Sequence, residues 1–170
     1  MSEKRLHVRH EGEMRFVART PDGHEIAMDT GIGGTGPRPT ELVLAGLAGC
    51  TGMDVASLMV KKRQDVRRYT IELTASQRTD YPQLFERIDL VHVVEGVVEV
   101  GQVRRCIELS AVKYCPVSAM LSAGPTEIHH RYRVVDVRSQ PASISEGEVL
   151  VTGPFRPATL DDVDGAVGAA

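Results

Sequence analysis

Residues 42–60 carry a single charge, Asp54, and the basic run Lys61-Lys62-Arg63 follows at once. A stretch so long and apolar has two outlets: a helix in a protein core, or a helix across a membrane. In a bilayer Asp54 would sit past mid-span, at a cost of roughly 2.5–3.5 kcal/mol. The remaining chain offers no second span, so a fully buried central helix is expected and no membrane. Pro39 suits its first helical position, Glu41 complements the positive end of its dipole, and the basic run closes it near Arg63. Inside it lies Ala45-Gly46-Leu47-Ala48-Gly49-Cys50-Thr51-Gly52. Each of those glycines lowers helix propensity by roughly 1 kcal/mol relative to alanine, which points to close approach by another backbone or helix.

Around this helix the chain reads as strands and shorter helices. Residues 14–19 and 24–29 flank Pro21-Asp22-Gly23, a turn signal, and form a hairpin. In residues 69–76, Tyr69, Ile71, Leu73 and Ala75 alternate with polar neighbours, as in a half-buried strand. Ile88, Leu90, His92 and Val94 give another. Val103, Cys106, Ile107, Ser110 and Tyr114 recur at helical spacing, so a second helix covers about 101–113. Pro116 disfavours helical geometry at the residue before it and opens a third helix running to about 121. Cys115 is left at the break, at a helix start whose dipole favours a thiolate. Residues 126–137 return to strand periodicity. Strand pairs separated by helices, without regular βαβ alternation, define an α+β fold. From Ser139 the composition turns to Pro, Ser, Gly and acidic residues. Residues 148–151 suit a short edge strand, and the end beyond Pro157 is expected to be mobile. Residues 1–138 are thus read as one domain and 139–170 as a partly mobile extension.

Several functions are disfavoured. A net charge of −3 gives no electrostatic reason to expect nucleic acid. Residues 1–13 are charged and lack an apolar h-region, so no secretory signal is expected and the cytoplasm is the expected compartment. Three cysteines argue against a disulfide framework and leave metal or redox chemistry open. Gly31-Ile32-Gly33-Gly34-Thr35-Gly36 matches GxGxxG literally. Pro37 and Pro39 follow immediately, however, and residues 24–29 are too polar for a buried parallel strand, so a mobile loop is expected and no cofactor. Cys50, Cys106 and Cys115 lack CxxC spacing, and His129 and His130 point to opposite faces of a strand, so no metal is expected. His92 and His130 fall on core-side positions, where satisfied core histidines are expected. Cys106 lies on the apolar stripe of its helix and reads as a small buried hydrophobe.

Pro39-Thr40-Glu41-Leu42, the run from Ala45 to Thr51, and Met53-Asp54 resemble the central-helix signature of the OsmC/Ohr family. Leu84-Phe85-Glu86-Arg87-Ile88 resembles its crossing strand. Ile107-Glu108-Leu109-Ser110 with Lys113-Tyr114-Cys115-Pro116-Val117 is similar to its second cysteine motif. The resemblance runs from about His10 to Val137. It implies an intertwined α+β homodimer with sheets wrapped around two long central helices. It also implies a thiol peroxidase acting on organic hydroperoxides, and more weakly on hydrogen peroxide. Cys50 would attack the peroxide and become a sulfenic acid, and Cys115 would condense with it to a disulfide. A dithiol of lipoyl type would reduce that bond, and an apolar pocket would favour alkyl peroxides.

Such chemistry needs a thiolate, and a thiol of ordinary pKa about 8.5 is only about 3% ionised at pH 7. The family pairs an arginine with a glutamate for this purpose. Among Arg15, Arg19 and Arg38 we favour Arg15, on its N-terminal strand. In this chain Thr40 stands where the glutamate is expected and Glu41 follows one place later. Glu41 lies about two and a half helical turns from Cys50 and faces away from it. It serves the site from another direction, as across a dimer, or else stabilises the helix start. Asp54, one turn after Cys50, shares its face and helps a thiolate only by holding a cation. Thr51 is a candidate hydrogen-bond donor nearby.

Overall fold

The computed structural model describes residues 3–30 and 34–154. The chain forms two compact units, Met1–Gly46 and Leu47–Ala170. The first holds an antiparallel sheet of three short strands, β1 (His7–His10), β2 (Phe16–Arg19) and β3 (Glu25–Met28), in that order. The expected hairpin is β2–β3, with Arg19 opposite Glu25. Strand β1, within a segment whose charge masks its alternation, pairs along β2 from His7 opposite Arg19 to His10 opposite Phe16. Val17 and Ala18, on β2, are buried. Asp29 closes the loop after β3. It accepts hydrogen bonds from the Thr35 hydroxyl and from the Thr30 backbone N–H, and these hold its carboxyl below the usual range. Gly31, Ile32 and Gly33, the first half of the glycine run, lie outside the described residues. A side chain at Gly36 would meet the Ala27 carbonyl oxygen at 3.0 Å.

Helix α1 spans Pro39–Lys61. Its end is a Schellman motif: Gln64 N–H donates to the Met59 carbonyl and Arg63 N–H to that of Val60, with Arg63 left-handed at φ 56°. The helix is not buried all round. Leu47, Thr51, Val55 and Met59, one residue per turn, make a single buried stripe, while Met53 and Val60 are 75% and 76% exposed. By length and composition α1 could cross a membrane. In this fold its buried stripe joins the core of the second unit, where Val55 and Met59 cluster with Val94, Val98, Val103, Cys106, Ile107 and Val134.

That second unit is a four-stranded sheet in the order β4 (Asp65–Gln77), β5 (Phe85–Val97), β6 (Glu127–Asp136), β7 (Ser143–Thr152). Strands β4 and β5 form an antiparallel hairpin with Tyr69 opposite Val94. Strand β6 runs parallel to β5, with Leu90 beside His130, which demands a crossover rather than a hairpin. The crossover is α2 (Val100–Leu109), a π-helical turn over Ser110–Tyr114, and α3 (Pro116–Ser122). On β5, Ile88, Leu90, His92 and Val94 are buried, the face the alternation assigns to the core. Strand β7 is longer than the short edge strand expected. It pairs with β6 from Asp136 opposite Ser143 to Ile128 opposite Thr152, so the segment after Arg138 begins as sheet. Residues 155–170, where the mobile end was expected, lie outside the described residues.

Candidate active site

Cys50 sits on α1, half-buried, and Asp54 lies one turn further along on the same face. Cys115 sits at the N-cap of α3 and is 3% exposed. Both cysteines are free thiols. Each sulfur and one Asp54 carboxylate oxygen lie within 4.8 Å of one another. The fold therefore joins two thiols that are distant in sequence, and it does so through the π turn. Cys115 N–H reaches back five residues to the Ser110 carbonyl, and this wide turn ends the helix with Cys115 extended at φ −77° and ψ 103°. Such single π turns are often found at functional sites. The 3.6-residue period gave no sign of it. The one available signal was the strain of a helix that must stop before Pro116.

The π turn also places Ser110, buried, beneath α1. Its hydroxyl donates to Asp54 Oδ2 at 3.0 Å and lies 2.9 Å from Thr51 Oγ1. With its own proton given to Asp54, Ser110 accepts from Thr51. Thr51 thus spends its donor on Ser110 and not on the Cys50 sulfur. In the sequence Ser110 stands out only by its helical spacing and its place in the second cysteine motif, and neither gives it a partner.

Cys115 is not the favoured thiolate that its helix start suggested. Burial pushes it up to about 12, the Ser118 N–H that donates to its sulfur at 3.3 Å opposes this, and the neighbouring Cys50 adds to it. Desolvation exceeds one hydrogen bond. Cys106, fully buried in the core, is likewise pushed up by desolvation, to about 11, as a small apolar side chain would be.

Arg15 and Glu41 belong to the first unit, and each has its own partner there. Arg15 Nε lies 3.2 Å from Glu11 Oε2, and Nη1 donates to the Thr35 carbonyl. Glu41 Oε2 accepts from the Arg38 backbone N–H at 2.8 Å, the reach-back half of a capping box at the start of α1. Arg38 itself donates through Nε to the Thr30 carbonyl.

On the sheet face of the second unit, Tyr69 Oη is 2.6 Å from His92 Nδ1, and His130 Nε2 is 3.2 Å from Thr152 Oγ1. Each ring keeps one buried nitrogen unpartnered, Nε2 of His92 and Nδ1 of His130. These histidines are thus only half satisfied. Burial alone lowers His92 to about 4, while burial with the neighbouring His92 and His129 lowers His130 to about 3, so both are neutral at pH 7.

The fold and the paired sulfurs define an α+β protein with a dithiol centre between a helix and a helix cap. A family model described as OsmC-like protein matches residues 32–131. Protein YhfA of Escherichia coli (strain K12) is 39% identical over 123 residues, 72% of this chain and 91% of that protein. A hypothetical protein from Aquifex aeolicus VF5 has a structure matching at TM-score 0.72 and 30% identity, over 79% of this chain and 97% of its own. The organic hydroperoxide resistance protein OhrB of Bacillus subtilis shares the fold at TM-score 0.55 and 19% identity, over 77% of this chain and 98% of its own. The chain belongs to the OsmC-like family.

Proposed function

We propose that this chain is a thiol-dependent peroxidase that reduces organic hydroperoxides, and hydrogen peroxide more weakly, in the cytoplasm. The observation that carries this reading is the meeting of the Cys50 and Cys115 sulfurs, which lie within 4.8 Å and interact as thiols. Their environments divide the labour. Cys50 is partly exposed, as the peroxide-attacking thiol needs to be, whereas Cys115 is buried and held protonated. Cys50, as thiolate, attacks one peroxide oxygen; the O–O bond breaks, the alkoxide takes a proton and leaves as alcohol. Cys50 retains the other oxygen as a sulfenic acid. The Cys115 sulfur then attacks the Cys50 sulfur, its proton leaves with the hydroxyl as water, and the disulfide forms. An external dithiol of lipoyl type is oxidised to its own disulfide as it restores both thiols. The name of the Bacillus relative, organic hydroperoxide resistance protein, supports this substrate class.

The reading includes a homodimer. Gly49, Met53 and Val60 fall on one side of α1, and all are exposed in the single chain. A side chain added at Gly49 would meet nothing within 4 Å. Glycine in a helix is costly where nothing approaches it, so a second copy packed along this face accounts for it. Met53→Glu should then shift the chain to monomer in size-exclusion chromatography with light scattering while leaving its circular dichroism intact.

Steady-state turnover of cumene hydroperoxide with dihydrolipoamide tests the chemistry. Activity should vanish in Cys50→Ser, and Cys115→Ser should consume about one peroxide per chain and then stop. Turnover of the parent no greater than that of Cys50→Ser would sink the peroxidase. One observation favours a second reading, a small-molecule or thiol-binding protein: Arg15 is paired with Glu11, and Glu41 caps α1. That outcome of the assay would promote it.

A further inference from the structure

We propose that Cys50, Cys115 and Asp54 form a binding site for a thiophilic divalent cation, Zn2+ foremost, independent of any peroxide chemistry. The spacing of the cysteines argues against a metal, but the fold supplies what the spacing withholds. One ligand atom from each residue lies within 4.8 Å of the other two. Zinc bonds of about 2.3 Å to sulfur and 2.0–2.2 Å to oxygen place tetrahedral ligand atoms about 3.5–3.8 Å apart. The 4.8 Å limit leaves at most about an ångström to close, within the reach of a small rotation of the partly exposed Cys50 side chain.

The charges point the same way. Two sulfurs and a carboxylate oxygen this close offer one cation three donor atoms of the kind zinc takes. Among the described residues no lysine or arginine is ion-paired with Asp54, whose hydrogen-bond partner is Ser110. The ligands are also oriented from behind. Ser110 donates to Asp54 Oδ2, Thr51 supports Ser110, and the Ser118 N–H donates to the Cys115 sulfur at 3.3 Å. Outer hydrogen bonds of this kind fix ligand geometry and tune affinity. Three protein ligands leave a fourth position to water, and two thiolates select zinc over magnesium or calcium. Binding transfers the two thiol protons to solvent and leaves the ion held by two thiolates and one carboxylate.

Titration of the whole reduced chain with Co2+ alone, followed by displacement with Zn2+, tests this. We expect about one ion per chain, tetrahedral d–d bands, a thiolate-to-cobalt charge-transfer band, and release of about two protons per ion. Cys50→Ser and Cys115→Ser should each lose the site, with circular dichroism showing the fold retained. Asp54→Asn should weaken binding at least about tenfold while keeping the charge-transfer band. Cys106→Ser should bind as the parent does. Absence of the band in the parent, its persistence in both Cys50→Ser and Cys115→Ser, or an Asp54→Asn variant of unchanged affinity would overturn the proposal. Because the readout is absorption and not turnover, a chain that binds Co2+ but reduces no peroxide leaves this site standing while the peroxidase reading falls.

Discussion

Ser110 is where the structure makes its sharpest energetic demand. Its hydroxyl sits between Thr51 Oγ1 at 2.9 Å and Asp54 Oδ2 at 3.0 Å, and Thr51 is fully buried. Ser110→Ala strands the Thr51 hydroxyl without a partner, at a cost of about 1–3 kcal/mol. Asp54 is only half-buried, so water replaces its lost donor and that bond contributes about 1 kcal/mol net. We expect Ser110→Ala to lower the unfolding free energy by about 2–4 kcal/mol. Adding Thr51→Val removes the stranded hydroxyl with little change of shape. The double variant should therefore be about 1–2 kcal/mol more stable than Ser110→Ala alone, because removing both partners is cheaper than removing one. Urea unfolding followed by circular dichroism measures both steps, with protein concentration fixed because a dimer's stability depends on it. If the losses from Thr51→Val and Ser110→Ala simply add, the hydroxyl relay does not join α1 to the π turn as argued.

Three further outcomes are expected. His92 and His130, lowered to about 4 and about 3, bind fewer protons in the folded chain than at the unfolded value of about 6.5. Stability should be full above about pH 6.5 and fall as the pH drops toward 4, by about 3 kcal/mol from His92 alone; urea midpoints that stay level from pH 7 to pH 4.5 would contradict this. Arg63, left-handed at φ 56°, should give about 1 kcal/mol of added stability on Arg63→Gly, read as a raised midpoint at unchanged slope. A Cβ at Gly96 would lie 2.2 Å from the Asp65 carbonyl oxygen, so Gly96→Ala must displace backbone where β4 and β5 pair. A loss of about 3 kcal/mol or more is expected, and a midpoint near the parent's would show that the hairpin yields.

Much of this fold can be read from local pattern. Pro39 and the basic run bound α1, Pro116 forces the break at Cys115, and the alternation in β5 picks out Ile88, Leu90, His92 and Val94 as core. These signals are legible because helix and strand periods act over a few residues. Segments with masked alternation were missed or cut short: β1 among charges, and β7 among Ser, Gly and Glu. The full burial expected of α1 also failed, because apolar composition does not say which partner covers each side. One chain covers only the stripe from Leu47 to Met59.

The cysteine pair has the same division. The sequence by itself determined that Cys50 lies on a long helix and Cys115 at a helix start, and the motifs around them marked the family. It determined nothing about what surrounds the two sulfurs. The π turn sets Ser110 under α1, brings Asp54 and both thiols within 4.8 Å, and buries Cys115 until its thiol resists ionisation. Those properties come from desolvation and from approach between residues far apart in the chain, and only the packed tertiary structure decides either one.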